Sequence, residues 1–210
     1  MPLREAMQTQ RAIRRLKPDP VEDEVLLRCI ELGMKAPTGS NAQNWEWILV
    51  RDPEVKRRLA RMNRQAWAVY GRLGRLRTRG DERMRKIIDA VQWQADHFEE
   101  IPVVVVACLR GPRFPLVPIG QSSYYGSIYP AVQNFLLACR AEGLGAALTT
   151  LPLWSTALAR RILGLPFTVQ PCAVVPVGWP RGRYGPTTRK PVDKVVHYDR
   201  WGNRAGRRSA

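Results

Sequence analysis

Apolar positions recur at helical and strand spacings along the chain and divide it into alternating elements. Over about residues 20–34, Val21, Val25, Leu26, Cys29, Ile30 and Met34 share one helical face. Glu22, Asp23 and Glu24 fill the first turn, where the helix dipole favours acids. Trp45 to Arg51 reads as a strand. Asp52-Pro53 then reads as an N-cap and first-turn proline, opening a helix with Val55, Leu59 and Met62 turned inward. A further helix, about Asp81 to Glu99, carries Met84, Ile87, Ile88, Val91, Ala95 and Phe98 on its inner side. Ile101 to Leu109 is almost wholly apolar, as in a strand buried on both faces. The Gly/Pro-rich stretch 111–120 reads as a loop. Ile128, Val132, Phe135, Leu136 and Cys139 mark a core helix over about 127–142. Gly143-Leu144-Gly145 ends it and leads into a short strand reaching Thr150. Ser155 or Thr156 caps a helix through Leu163, and Cys172 to Val177 is the last central strand. The tail, 185–210, is polar and basic.

This alternation lacks the regular unit length of a doubly wound sheet. No Gly-x-Gly-x-x-Gly follows a strand and there is no P-loop, which disfavours a Rossmann site and phosphoryl transfer. Without repeats or a low-complexity linker, 210 residues read as a single domain. No stretch approaches the roughly 20 apolar residues of a membrane helix, and Met1 to Glu5 has no signal-peptide core. Cys29, Cys108, Cys139 and Cys172 are widely separated in apolar runs, without metal-ligand or disulfide spacing. Buried, reduced thiols in a cytoplasmic protein are expected.

Charge changes the picture less than its size suggests. The net charge of +16 is compatible with nucleic-acid binding. However, the arginines are spread through helices (Arg57, Arg58, Arg61, Arg64, Arg72, Arg75, Arg77, Arg79), and no zinc-finger, RNP or helix-turn-helix signature accompanies them. A solvated basic surface is the preferred reading.

Candidate chemistry concentrates in three places. Ala36-Pro-Thr-Gly-Ser-Asn-Ala-Gln-Asn-Trp45 joins a helix to a strand through a dense run of hydroxyl and amide side chains. Pro37 and Gly39 break the helix, while Thr38, Ser40, Asn41 and Gln43 supply donors and acceptors for a planar polar ligand. Arg11 and Arg14 have the spacing to converge on a phosphate or a delocalised anion. Thr187-Thr188-Arg189-Lys190-Pro191 offers hydroxyls and cations at the far end of the chain. Each basic cluster alone is more simply read as a solvated turn or loop. Catalysis by side chains has little support: His97 and His197 are the two histidines, and neither has a nucleophile beside it in a recognisable elbow. An enzyme built this way relies on a cofactor, and no metal is implied.

Taken in order, these clusters resemble the flavin-dependent nitroreductase family. Arg11 to Val21 (Arg-Ala-Ile-Arg-Arg-Leu-Lys-Pro-Asp-Pro-Val) is similar to its N-terminal arginine pattern, and Ala36 to Trp45 to its Ala-Pro-Ser-x-x-Asn-x-Gln-Pro-Trp. Gln133 to Ala138, Gly143-Leu144-Gly145, Thr149-Thr150 and Arg189 to Val196 complete the resemblance, with Asp199-Arg200-Trp201 after them.

The resemblance implies an α+β fold: a central mixed, mostly antiparallel sheet flanked by helices, in an intertwined homodimer. It implies one domain over 1–210, with a core of about 11–184 and a C-terminal extension of about 185–210. It also implies FMN, reduced by NADH or NADPH in a ping-pong cycle that delivers electrons to nitroaromatics, quinones or other small acceptors. Arg11 and Arg189, with Lys190, would hold the phosphate, and Ala12 belongs to the same cofactor strap. Arg14 would lie at the N1/O2 edge of the ring, where positive charge raises the flavin potential. Thr38, Gly39, Asn41 and Gln43 would line the ring and ribityl chain, and Thr149, Thr150 and Leu151 would face N5 and O4. The core helix over 127–142 would be the main dimer helix, and the basic segment 63–85 would cover the substrate face.

The chain departs from the family pattern at Gln10 and Ala12, in place of Arg and Ser, and at Thr38, in place of Ser. Asn44 replaces a proline, which is expected to loosen that turn. Two alternatives stand beside this reading. One is a same-fold flavoenzyme for dehalogenation, enone reduction or azoline oxidation. The other is a basic nucleic-acid-binding or flavin-carrying protein without turnover.

Overall fold

The computed structural model describes residues 1–77, 80–111 and 118–204. Its centre is a four-stranded antiparallel sheet of order β1-β2-β4-β3. The strands are β1 (Trp45–Val50), β2 (Val103–Arg110), β3 (Gly145–Ala146) and β4 (Val169–Gly178). Among the described residues, six α-helices accompany it: α1 (Leu3–Thr9), α2 (Asp23–Gly33), α3 (Pro53–Arg77), α4 (Glu82–Asp96), α5 (Pro118–Ala141) and α6 (Thr156–Leu163). No helix among the described residues is long and apolar enough to cross a membrane.

The central strand pair explains the layering. Residues of β2 alternate between the two faces, and both faces are buried. Val103, Val105, Ala107 and Leu109 point to one core with Leu26 and Cys29 of α2 and Ile128, Val132 and Phe135 of α5. Val104, Val106 and Cys108 point to the other, with Leu59 and Met62 of α3, Ala159 of α6, and Phe98 from the turn after α4. Helices therefore cover both sides of the sheet. Asp52 caps α3 through its Oδ1, which accepts from Val55 N at 2.8 Å, and Asp81 caps α4 by accepting from Met84 N at 3.0 Å.

Several expected boundaries move. The loop expected at 111–120 falls largely on 112–117, outside the described residues, but Pro118–Gly120 already belong to α5. That helix thus starts nine residues before the expected position, because Tyr124 and Ser127 are buried on its inner side. The expected helix over 81–99 is α4 followed by a separate 3-10 turn, Phe98–Glu100. The strand expected to reach Thr150 is two residues long, with a lone bridge from Thr149 to Val174 beyond it. β4 is longer than its apolar run, and all strand pairings among the described residues are antiparallel. The four cysteines are free and buried.

Residues 13–17 form an extended strap along the end of the sheet. Ile13 N donates to Ala146 O at 3.1 Å and Lys17 N to Trp179 O at 2.8 Å. Gly145 makes this approach possible: a Cβ there would lie 2.7 Å from Leu16 Cδ2 and 2.8 Å from Ile13 Cγ2. Gly145→Val should therefore cost about 1–3 kcal/mol by overpacking and shift the strap, read as a lower urea midpoint. An unchanged midpoint would contradict the close approach.

Candidate functional site

The strap presents two of the candidate arginines. Arg11 is exposed and Arg14 half-buried. Burial lowers the Arg14 pKa from the ordinary arginine value, and among the described residues the guanidinium has no hydrogen-bond or ion-pair partner. A partly desolvated, unpaired cation is costly to hold without an anion or acceptor beside it. Ala12 lies between them, exposed.

The C-terminal cluster folds back onto this strap. Thr187 donates to Gln8 O twice, from its N at 2.9 Å and its Oγ1 at 3.1 Å. A Cβ on Gly185 would lie 3.9 Å from Arg11 Nη1, ordinary contact distance. Arg189 and Lys190 are exposed just beyond, and Arg189 donates to Thr188 O at 2.9 Å. Arg11 and Arg189, 178 residues apart in numbering, therefore belong to adjoining segments.

The segment Thr149–Leu151 begins three residues past the strap's contact with Ala146. Thr149 is fixed by mutual backbone bonds to Val174 at 2.8 and 2.9 Å. Leu151 N is taken by Thr149 Oγ1 at 3.3 Å, whereas Thr150 N has no partner among the described residues. Thr150 and Leu151 open onto a hollow of about 490 Å³ walled by Tyr70 of α3, Tyr125 and Tyr129 of α5, and Trp154.

The loop from Thr38 to Gln43 is built differently. It holds non-glycine residues in left-handed backbone, two in the 3-10 turn Gly39–Asn41 and one beyond it: φ is 52° at Ser40, 51° at Asn41 and 46° at Gln43. Such conformations are uncommon, and they persist where surrounding bonds enforce them. Here Gln43 N donates to Thr38 Oγ1 at 3.1 Å and Gln43 Nε2 to Asn41 Oδ1 at 3.2 Å. Gly39 N donates to Ser127 Oγ at 3.1 Å, and a Cβ on Gly39 would meet Ser123 Oγ at 2.7 Å. Asn44, expected to loosen the turn, instead pins it: its Nδ2 donates to Arg110 O at 2.8 Å.

The candidate residues thus form two groups that one chain does not bring together. Ser123 and Ser127, which seat the Thr38–Gln43 loop, lie on one face of α5. Tyr125 and Tyr129, which share the hollow with Thr150, sit two residues either side of Ser127, about 160–200° around the helix at 3.6 residues per turn. α5 stands between the polar loop and the Thr149–Leu151 segment. Sequence reasoning missed this division, and it missed Ser127, Tyr125, Tyr129 and Trp154. A serine inside an apolar helical stripe was the available signal for Ser127.

The histidines are structural. His97 stacks on Trp93 with ring centres 4.1 Å apart, and His197 stacks on Trp201 at 4.2 Å. No metal-binding cluster occurs among the described residues. Arg57, Arg61, Arg64, Arg72 and Arg75 line one exposed face of α3, while Arg79 lies outside the described residues.

A helix-covered antiparallel sheet, with an arginine strap across its end and a polar loop on the longest buried helix, defines an α+β architecture with solved counterparts. The oxidised iodotyrosine deiodinase bound to FMN and 3-iodo-L-tyrosine superposes with a TM-score of 0.75 at 22% identity, covering 95% of this chain and 100% of that one. A putative nitroreductase in complex with FMN from Desulfovibrio desulfuricans gives 0.69 at 22%, covering 96% and 98%. These likenesses show the fold. The family model described as "Nitroreductase family" matches residues 7–179, and the chain belongs to that family. Among curated relatives, iodotyrosine deiodinase 1 of Rattus norvegicus is 24% identical over 91% of this chain and 67% of its own length. Iodotyrosine deiodinase of Daphnia pulex is 27% identical over 91% and 64%. The chain spans about two thirds of the length of these relatives.

Removing the Ser127 hydroxyl leaves Gly39 N–H without its acceptor. Ser127→Ala should destabilise the fold by about 1–3 kcal/mol and speed hydrogen exchange at Gly39 by at least as much as at its neighbours. Unaltered exchange at Gly39 would show that Ser127 does not seat the loop.

Proposed function

We propose that this protein is an FMN-dependent oxidoreductase whose cofactor site is completed by a second copy of the chain. The observation that carries this reading is Arg14, a half-buried guanidinium without a partner among the described residues. It fits the electron-rich N1/O2 edge of a flavin. The free Thr150 N–H, the strained polar loop and the cationic pair Arg11 and Arg189 fit the remaining edges of the same ligand.

On this reading Arg11, Arg189 and Lys190 hold the phosphate, with Ala12 in the strap between the arginines. Arg14 holds positive charge at the ring edge and raises the flavin's potential. Thr149, Thr150 and Leu151 face N5 and O4 from the same chain. Thr38, Gly39, Asn41 and Gln43 approach from the second copy, because α5 separates them from Thr150 within one chain. Tyr125 and Tyr129, 39% and 40% exposed on α5, and Trp201, 90% exposed on the tail, fit surfaces that the homodimer covers. Bound there, FMN would supply the redox chemistry of a ping-pong cycle between NADH or NADPH and a small acceptor. The aromatic hollow beside Thr150 suits planar acceptors such as nitroaromatics or quinones, positions them by stacking and excludes water.

A second reading, reductive dehalogenation of an aromatic halide on the same cofactor, is supported by the names of the curated relatives. The two differ in acceptor and not in site.

The test is a purified protein supplied with FMN. The expected outcome is a yellow holoprotein that NADPH or NADH bleaches without oxygen, and that a nitroaromatic, a quinone or 3-iodo-L-tyrosine then reoxidises at rates that rank the acceptors. A preparation that takes up no FMN, and instead binds nucleic acid with steep salt dependence, would sink this reading. In the holoprotein, Arg14→Ala should lower the flavin midpoint potential by roughly 30 mV or more, the equivalent of about 1.4 kcal/mol in a two-electron couple.

A further inference from the structure

We propose that Arg140 is a positioning residue for phosphate recognition, tying together the two chain segments that carry Arg11 and Arg189; this rests on the FMN reading above. Arg140 lies in the last turn of α5 with its side chain 12% exposed. Its Nε donates to Thr9 Oγ1 at 2.9 Å, and its Nη2 lies 3.9 Å from Glu5 Oε1. The guanidinium carbon sits 4.1 Å from the centre of the Tyr184 ring. Tyr184 in turn donates its hydroxyl to Leu144 O, and burial pushes that phenol up to about 12. One guanidinium thus holds the end of α1, the approach to β3 and the start of the tail.

These ties flank the candidate phosphate contacts. Thr9 precedes Arg11 by two residues and Tyr184 precedes Arg189 by five, and between them Thr187 closes on Gln8. Arg11 and Arg189 are exposed and have no acidic partner among the described residues; Arg189 is held only by its bond to the carbonyl of its chain neighbour Thr188. Immobilising long side chains on a ligand costs entropy, and a rigid backbone beneath them limits that cost. Arginine suits the role because its planar fork can donate at its edge while its face lies on a phenol ring. Lysine would keep the charge and lose both features. Arg140 is 12% exposed, with its Nε bonded to Thr9 and its face on the Tyr184 ring, so it acts through Arg11 and Arg189.

The experiment compares affinities for FMN and for riboflavin, which lacks the phosphate, by quenching of flavin fluorescence on the full chain. Wild-type protein should favour FMN. Arg140→Met should weaken FMN binding roughly tenfold, the scale of one lost hydrogen bond to a charged group, and leave riboflavin binding unchanged. Arg140→Lys should restore FMN binding only in part. Equal losses for both flavins, unchanged FMN affinity, or full rescue by lysine each overturn the assignment. Should Arg140→Met fail to fold, Thr9→Val removes the same hydrogen bond near the surface, and it must weaken FMN selectively or the proposal falls. Wild-type protein that binds neither flavin overturns the cofactor reading and this role with it. Wild-type protein that binds both equally has no phosphate clamp, and overturns this role alone.

Discussion

The burial of α5 against the sheet is the constraint from which both halves of the candidate site take their positions. Ile128, Val132, Phe135 and Cys139 fill the space above Val105, Ala107 and Val175. Deleting such side chains typically costs several kcal/mol each, so the helix has no freedom to roll. With its rotation fixed, Ser123 and Ser127 must face the polar loop, and Tyr125 and Tyr129 must face Thr150. The hydrogen bond from Trp45 Nε1 to Ser127 O at 2.7 Å locks the loop's exit in the same register. One rigid helix therefore sets two polar surfaces back to back, and that arrangement makes a single chain insufficient for a ligand needing both.

Electrostatics sharpen the contrast between the two ends of the site. Most exposed arginines here are in contact with water and screened by salt. Arg14 is different, since burial has removed water without supplying a counter-charge. Arg160, more deeply buried, shows the ordinary solution: it donates to the carbonyls of Val169 and Pro166. Beside it, Arg14 stands out as a half-buried guanidinium without a partner among the described residues.

Most of the fold was legible in the sequence because its two periods are clean. The alternating burial of β2 and the stripe of Ile128, Val132 and Phe135 both follow from local spacing. The first turns of α5 were not legible, because Pro118, Gly120, Ser122, Ser123 and Gly126 are poor helix formers that tertiary packing overrides. α1 was missed for another reason: Ala6 is its one buried residue, while Leu3 and Met7 are exposed. The site clusters were readable as local chemistry at Arg11, Thr38–Gln43 and Arg189. Their separation by α5 was not, since it depends on which way a helix faces after the sheet has formed. Asn44 illustrates the same limit: a residue that frees the backbone in isolation becomes a tether once Arg110 lies opposite.

The bond between Gln8 and Thr187 joins residues 179 positions apart in sequence. Contacts of such separation are the slowest to form, because the intervening chain must be ordered first. The sheet and α5 lie between residues 45 and 178, so this junction draws on chain from both sides of them. That one hydrogen bond therefore reports that the segments before α2 and after β4 have both closed onto the same end of the sheet.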